Sequence, residues 1–201
     1  CALGDPIADQ VAAVRSVAPD FSTVLDPNER FEDPDGALQV SRSLEAFDRI
    51  AFESPVPQHR LDWYRELRGS ISQKIALHLT SITELLPALR AEAADYYNLL
   101  GPLKEFTDWA TLTRKSGCPT WRGTGMDLGV RDMSSVHAAA AAGCELPCDI
   151  IGHLLREDDL LVEPIRFEDG ALVVPEAPGL GIELDREALE KYRVPIEAGG
   201  G

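Results

Sequence analysis

The sequence predicts an α/β fold, a partial (β/α) barrel, on three observations. Short apolar runs rich in β-branched and aromatic residues alternate with amphipathic helical stretches. The repeat is roughly 25 residues with short connections, which implies parallel strands joined by crossover helices in a barrel or a doubly wound sheet. No GxGxxG or phosphate-loop pattern follows any of the runs, which weighs against a nucleotide-binding doubly wound sheet and favours the barrel.

Asp5 and Pro6 read as N-cap and first helical position, and Ile7, Val11 and Val14 give that helix one apolar face. A strand is expected at Phe21–Leu25. The next helix is opened by Asp35 and carries Ala37, Val40, Leu44 and Phe47 on one stripe. Arg49–Glu53 is a second strand, Leu61, Tyr64 and Leu67 mark a helix, and Lys74–Leu79 is a third strand. Leu85, Leu86 and Leu89 line the helix that follows, and Asp95–Leu100 is a fourth strand. Phe106, Trp109 and Leu112 mark another helix, Pro119–Trp121 a brief fifth strand, and Met133, Val136, His137 and Ala140 the inward face of a further helix. Past Asp149 the pattern changes to a hairpin turning at Asp169-Gly170, then a short helix capped by Asp185. Five strands are legible and a closed barrel takes eight, so the barrel is incomplete. We divide the chain into a barrel part (1–160), a hairpin and returning tail (161–195) and a flexible end (196–201), where Gly199–Gly201 should fray.

Composition narrows the function. The 201 residues are 44% hydrophobic and 26% charged, which permits a packed core. A net charge of −15 opposes a nucleic-acid partner and an anionic membrane surface. No apolar run reaches the ~20 residues of a membrane helix, and no signal-peptide pattern is visible, so a cytoplasmic location is expected. The chain opens on Cys1 in mid-pattern, which points to sequence upstream. Of the four cysteines, Cys144 and Cys148 lie in CELPC, a C-x3-C spacing that is neither a redox CxxC nor half of a zinc ribbon; small buried thiols are expected.

Barrel chemistry sits at the C-terminal ends of strands. Asp26, Glu53 and His78 occupy three such ends, one repeat apart. Two carboxylates and a third donor around one point suit magnesium or manganese, although carboxylates after strands also cap helices. Asp149, at the end of ELPCD, reads either as a general acid or hydrogen-bond donor, or as a cap for the helix through IIGHLL. Asp127 is a weaker candidate, and His137, on an apolar face, reads as a buried structural histidine.

TVLDPNERF, with Asp26 and Asn28, followed by IAFESPVP with Glu53, resembles the successive metal-ligand strands of the enolase superfamily, in the mandelate racemase and muconate lactonizing enzyme group. GDPIADQVAAVRSVAPDF resembles that group's helix after the second barrel strand, and EAPGLGIELDREALEKYRV its C-terminal signature. The resemblance implies the C-terminal part of a TIM-like barrel, with the first strands, their KxK lysine motif and an N-terminal capping domain upstream. It implies a magnesium-dependent enzyme that removes the proton α to a substrate carboxylate and stabilises the enediolate. Dehydration of a sugar acid is the first expectation; racemisation, epimerisation or cycloisomerisation, or a catalytically silent homologue, are the alternatives. The full-length protein is expected to be a homo-oligomer, and this chain alone inactive.

The implied ligands are Asp26, Glu53 and His78, the last standing where the group carries an acidic residue and also a candidate catalytic group. Asp149 is the implied acid, and Asn28 and Arg122 are candidate substrate contacts. Two departures stand out. Leu99, Leu100 and Gly101 occupy the place of a catalytic Lys or Asp, with Lys104 falling in the next helix, and Trp121, Arg122 and Gly123 occupy that of a His base.

Overall fold

The computed structural model describes residues 1–194. The flexible end expected at 196–201, with residue 195 of the tail before it, lies outside the described residues. Five parallel strands form one curled sheet in the order β1 (Thr23–Leu25), β2 (Ile50–Glu53), β3 (Lys74–Leu79), β4 (Tyr96–Leu99) and β5 (Thr120–Arg122). Each neighbour pair is in parallel register, for example Glu53 with Ala76 and His78 with Asn98. Helices α1 (Ile7–Val17), α2 (Pro34–Ser43), α3 (Leu61–Ser70), α4 (Ile82–Arg90), α5 (Leu103–Lys115) and α6 (Gly129–Ala142) alternate with the strands. The α/β half-barrel expected from the repeat is present.

The core lies between the sheet and its helices. Ile75, Leu77, Leu79, Tyr97 and Leu99 point outward from β3 and β4 to meet Leu67, Leu85, Phe106 and Trp109, all buried. Tyr64 is buried with its hydroxyl donating to Val56 O at 2.5 Å, which anchors α3 to the segment after β2.

Several local expectations shift. The α1 helix begins at Ile7 with Pro6 as N-cap, and the Asp5 carboxylate instead accepts from Ala2 N at 2.8 Å. Val14 is 39% exposed, because only the start of α1 packs on the core. The α2 cap is Asp33 rather than Asp35: its side chain accepts from Gly36 N at 2.9 Å, and Pro34 takes the first helical position. In α4, Leu86 faces solvent while Leu85 and Ala88 are buried, and Glu84 reaches back to accept from Thr80 N and Ser81 N, both at 3.0 Å. In α6 the buried alanines are Ala138 and Ala142, not Ala140.

Beyond α6 a single 3-10 turn spans Gly152–Leu154. The hairpin forms as expected from β6 (Phe167–Glu168) and β7 (Ala171–Leu172), with positive φ at Asp169 and Gly170. Ile165, Leu172, Leu180 and Ile182 pack against Met133, Val136 and Ile150, so this segment covers α6. Asp185 caps α7 (Arg186–Lys191), accepting from Glu187 N and Ala188 N. Among the described residues no helix is long and apolar enough to cross a membrane.

Candidate active site

The sheet presents one face to the helices and the other to the barrel interior. Alternation in β2, β3 and β4 puts Glu53, Ala76, His78 and Asn98 on the interior face, clustered at the C-terminal ends. Glu53 is 6% exposed, and its Oε1 accepts a 2.8 Å hydrogen bond from Asn98 Nδ2. His78 Nδ1 lies 3.5 Å from the same oxygen, and the buried His78 Nε2 has no partner among the described residues.

Asp26 follows β1, one step along the rim from Glu53. Its Oδ1 accepts from Asn28 N at 2.7 Å and its Oδ2 from Asn28 Nδ2 at 2.9 Å. Asn28 is therefore engaged in a tight local turn onto Asp26, with φ 48°. Asp149 follows α6, where the chain returns to β5, its peptide N–H donating to Arg122 O at 3.3 Å. The 3-10 turn after it has Ile151 at its N-cap without a side-chain cap, so the Asp149 carboxylate is not spent as a helix cap.

Electrostatics ties these groups together. Burial pushes the Glu53 carboxyl up to about 7, against the hydrogen bond from Asn98 and with further upward pressure from Asp26 and Asp149. Asp149 is pushed up to about 6, again by burial first, with Asp26 adding to it. Burial lowers the His78 pKa, which favours the neutral imidazole. The result is a corner of excess negative charge in which protons are held near neutral pH.

Not every expected residue joins. Arg122 is paired in register with Leu99 and faces the helices; the residue is 2% exposed, and its guanidinium donates from Nη1 to Gly101 O at 2.7 Å and stacks on Phe106 at 4.8 Å. Period-two alternation removes it from the interior face. Asp127 accepts from Gly125 N and pairs with Arg131 at 3.1 Å. His137 is half-buried with its Nε2 3.1 Å from Leu180 O. Lys104 is exposed in the first turn of α5.

Asn98 is the interior residue that sequence reasoning missed. Its signal was a lone polar residue within YYNLL, in register with His78. Gly123 belongs with it, since a Cβ there would stand 2.3 Å from Asn98 Oδ1.

Among the described residues no group of three or more His, Cys, Asp or Glu side chains is arranged to hold a metal ion. Asp26 is turned onto Asn28, and Glu53 onto Asn98. A narrower fit remains. Magnesium is commonly held by one or two carboxylates with waters, and Asp26 and Glu53 are two hard donors in a field that a cation would relieve.

Residues 4–188 match the family described as enolase C-terminal domain-like, and the chain belongs to that family. It is 27% identical over 175 residues to muconate cycloisomerase 1 of Rhodococcus opacus, covering 84% of this chain and 47% of the relative. It is 24% identical to o-succinylbenzoate synthase of Bacillus subtilis over 90% of the chain and 50% of the relative. The crystal structure of a mandelate racemase/muconate lactonizing family protein from Azoarcus sp. EbN1 superposes with a TM-score of 0.83 at 28% identity, covering 93% of this chain and 54% of the other. That of N-succinyl Arg/Lys racemase from Bacillus cereus gives 0.86 at 22% identity, covering 93% of this chain and 52% of the other, a likeness of fold. The chain thus spans about half the length of the curated relatives it matches.

Proposed function

We propose that the parent protein is an isomerase of the racemase and cycloisomerase kind, moving the proton α to the carboxylate of a small molecule, and that this chain supplies the acidic side of its site. The observation that carries this is the shared field of Asp26 and Glu53, at neighbouring strand ends, and Asp149, in the segment after α6, with two of the three carboxyls held near neutrality. Sugar-acid dehydration, expected first, yields to isomerisation because the matched relatives are named as cycloisomerases, a synthase and racemases.

Asp149, titrating near 6, holds or releases a proton at its carboxyl at working pH. Asn98 fixes the rotamer of Glu53, and the unpartnered His78 Nε2 offers a hydrogen bond to a substrate oxygen. Asp26 and Glu53 are the residues that would hold magnesium or manganese, which when bound supplies the positive charge that an anionic substrate needs in an acidic corner. With Leu100 where a base is implied, we assign the abstracting base to the part of the parent protein outside this chain.

The test is α-proton exchange in heavy water by the full-length protein with magnesium, using N-succinylamino acids and muconolactone as probes. Asp149→Asn should slow exchange by about 10²-fold while leaving the fold intact. A second reading, a catalytically silent homologue, draws on Asn98 occupying Glu53 Oε1 and on His78 in an acidic residue's place. Absence of exchange above buffer with every probe would favour that reading.

A further inference from the structure

No regular strand carries Asp149. The chain runs from α6 into the 3-10 turn at Gly152–Leu154, and no side chain among the described residues holds the Asp149 carboxyl by a hydrogen bond. Its place is therefore set by its backbone. On one side its peptide N–H reaches Arg122 O, and on the other its carbonyl accepts from Ile151 N at 2.9 Å. Ile150 between them is buried against Met133 and Val136. The turn then rests on Gly152.

Gly152 has no room for a side chain. A Cβ there would stand 2.7 Å from Arg156 Nη1, 2.8 Å from Asp127 O and 2.9 Å from Asp132 Oδ2. These three atoms belong to one polar network. The Arg156 guanidinium donates from Nη2 to Asp132 Oδ2 at 2.9 Å and to Asp159 Oδ2 at 2.7 Å, and from Nη1 to Asp127 O. Asp159 Oδ1 in turn accepts from Gly129 N at 2.9 Å. One side chain thus joins the loop after β5, the first turn of α6 and the segment beyond the 3-10 turn. Asp132 is 1% exposed, and its Oδ1 has no partner among the described residues. Burial pushes the Asp132 carboxyl up and Arg156 opposes that push, so the two side chains depend on each other.

We propose that Arg156, braced by Asp132, is a positioning residue for Asp149: it holds the Gly152 turn, and the turn fixes where the Asp149 carboxyl stands relative to Asp26 and Glu53. The inference rests on the reading of Asp149 as the group that holds the proton. A misplacement of about 1 Å at a reacting group can cost about 10²-fold in rate, so a backbone clamp governs turnover without meeting the substrate.

The experiment compares the full-length wild type, Gly152→Ala and Arg156→Lys by α-proton exchange with magnesium across pH. Carboxyl NMR titration of isotope-labelled aspartate accompanies it, the Asp149 signal being assigned by its loss in Asp149→Asn. Gly152→Ala leaves every charge in place and pushes the turn off the guanidinium. Arg156→Lys keeps the charge, but a single ammonium does not reproduce the fork that spans Asp132, Asp159 and Asp127 O. In both, kcat should fall by about tenfold to 10²-fold with KM within about twofold. The Asp149 pKa should drop from about 6 toward the ordinary aspartate range, as the carboxyl loses its burial and its approach to Asp26. Ile75→Val trims a buried side chain on β3 away from this network; it controls for lost stability alone and should leave both readouts unchanged. Folded Gly152→Ala and Arg156→Lys with the wild-type kcat and Asp149 titration would overturn the proposal, as would the same changes in Ile75→Val. If Asp149→Asn exchanges at the wild-type rate, the catalytic reading falls by itself. A moved Asp149 titration in the two variants then still supports the positioning, and an unmoved one overturns it.

Discussion

Asn98 on β4 reaches over β3 to donate a 2.8 Å hydrogen bond to Glu53 on β2. The reach is possible because Ala76, the β3 residue in register with Glu53, has only a methyl group to place between them. A polar residue two strands away thereby sets both the orientation and the acidity of the buried carboxyl.

Removing that donor should move Glu53 further from ordinary behaviour. The hydrogen bond opposes the upward push of burial, so Asn98→Ala should raise the Glu53 pKa above about 7 and cost about 1–3 kcal/mol of stability above that pH. Carboxyl-region NMR titration and urea unfolding check the two effects. Gly123→Ala, whose new Cβ would meet Asn98 Oδ1 at 2.3 Å, should disturb the same pair.

The pH dependence of stability follows from the same carboxyl. Glu53 has a folded pKa near 7 against an ordinary value of 4.5, so between those values the folded state binds more protons than the unfolded one. Stability therefore falls as pH rises from about 4.5 through 7, by about 3 kcal/mol from this group. Glu53→Gln should flatten that part of the profile and melt higher than the wild type at pH 8, as thermal unfolding across pH would show.

Metal should act on the same charges. Magnesium or manganese should raise the melting temperature of the full-length protein, because the unfolded chain offers no such site. Asp26→Asn or Glu53→Gln should abolish the shift, and chelation should reverse it. His78→Ala separates roles: an unchanged metal shift makes the imidazole a bystander, and a lost one makes it a ligand. A melting temperature indifferent to metal in the wild type would remove Asp26 and Glu53 as a metal pair.

Arg122 should behave as a structural residue. Its guanidinium bonds Gly101 O and stacks on Phe106, so Arg122→Ala should destabilise the chain by about 2–4 kcal/mol in denaturant unfolding. A variant that keeps full stability but loses substrate affinity in the full-length protein would contradict this.

The β1 edge should make the isolated chain self-associate. β1 pairs only with β2 in the described sheet, and Phe21 and Val24 beside its edge are 60% and 51% exposed. Light scattering should show oligomers, and Val24→Lys should reduce them. A wild-type chain that stays monomeric at high concentration would count against it.

The strands and helices were legible because their signals are local. β3 falls on Lys74–Leu79 as the apolar run predicts, and the Asp169-Gly170 turn and Asp185 cap appear where their turn and capping chemistry places them. Boundaries such as Asp33 rather than Asp35 slipped, because two nearby aspartates offer the same capping oxygen and the Pro34 φ decides between them.

By itself, then, the sequence determined the α/β repeat, the five strands and the placing of Asp26, Glu53 and His78 at the ends of three successive strands. Only the tertiary structure decided which side chains meet. Strand pairing set Asn98 against Glu53 and turned Arg122 to the helices, since facing depends on register between strands distant in sequence. Burial, which exists only once the helices are packed, brought Glu53 to about 7 and Asp149 to about 6.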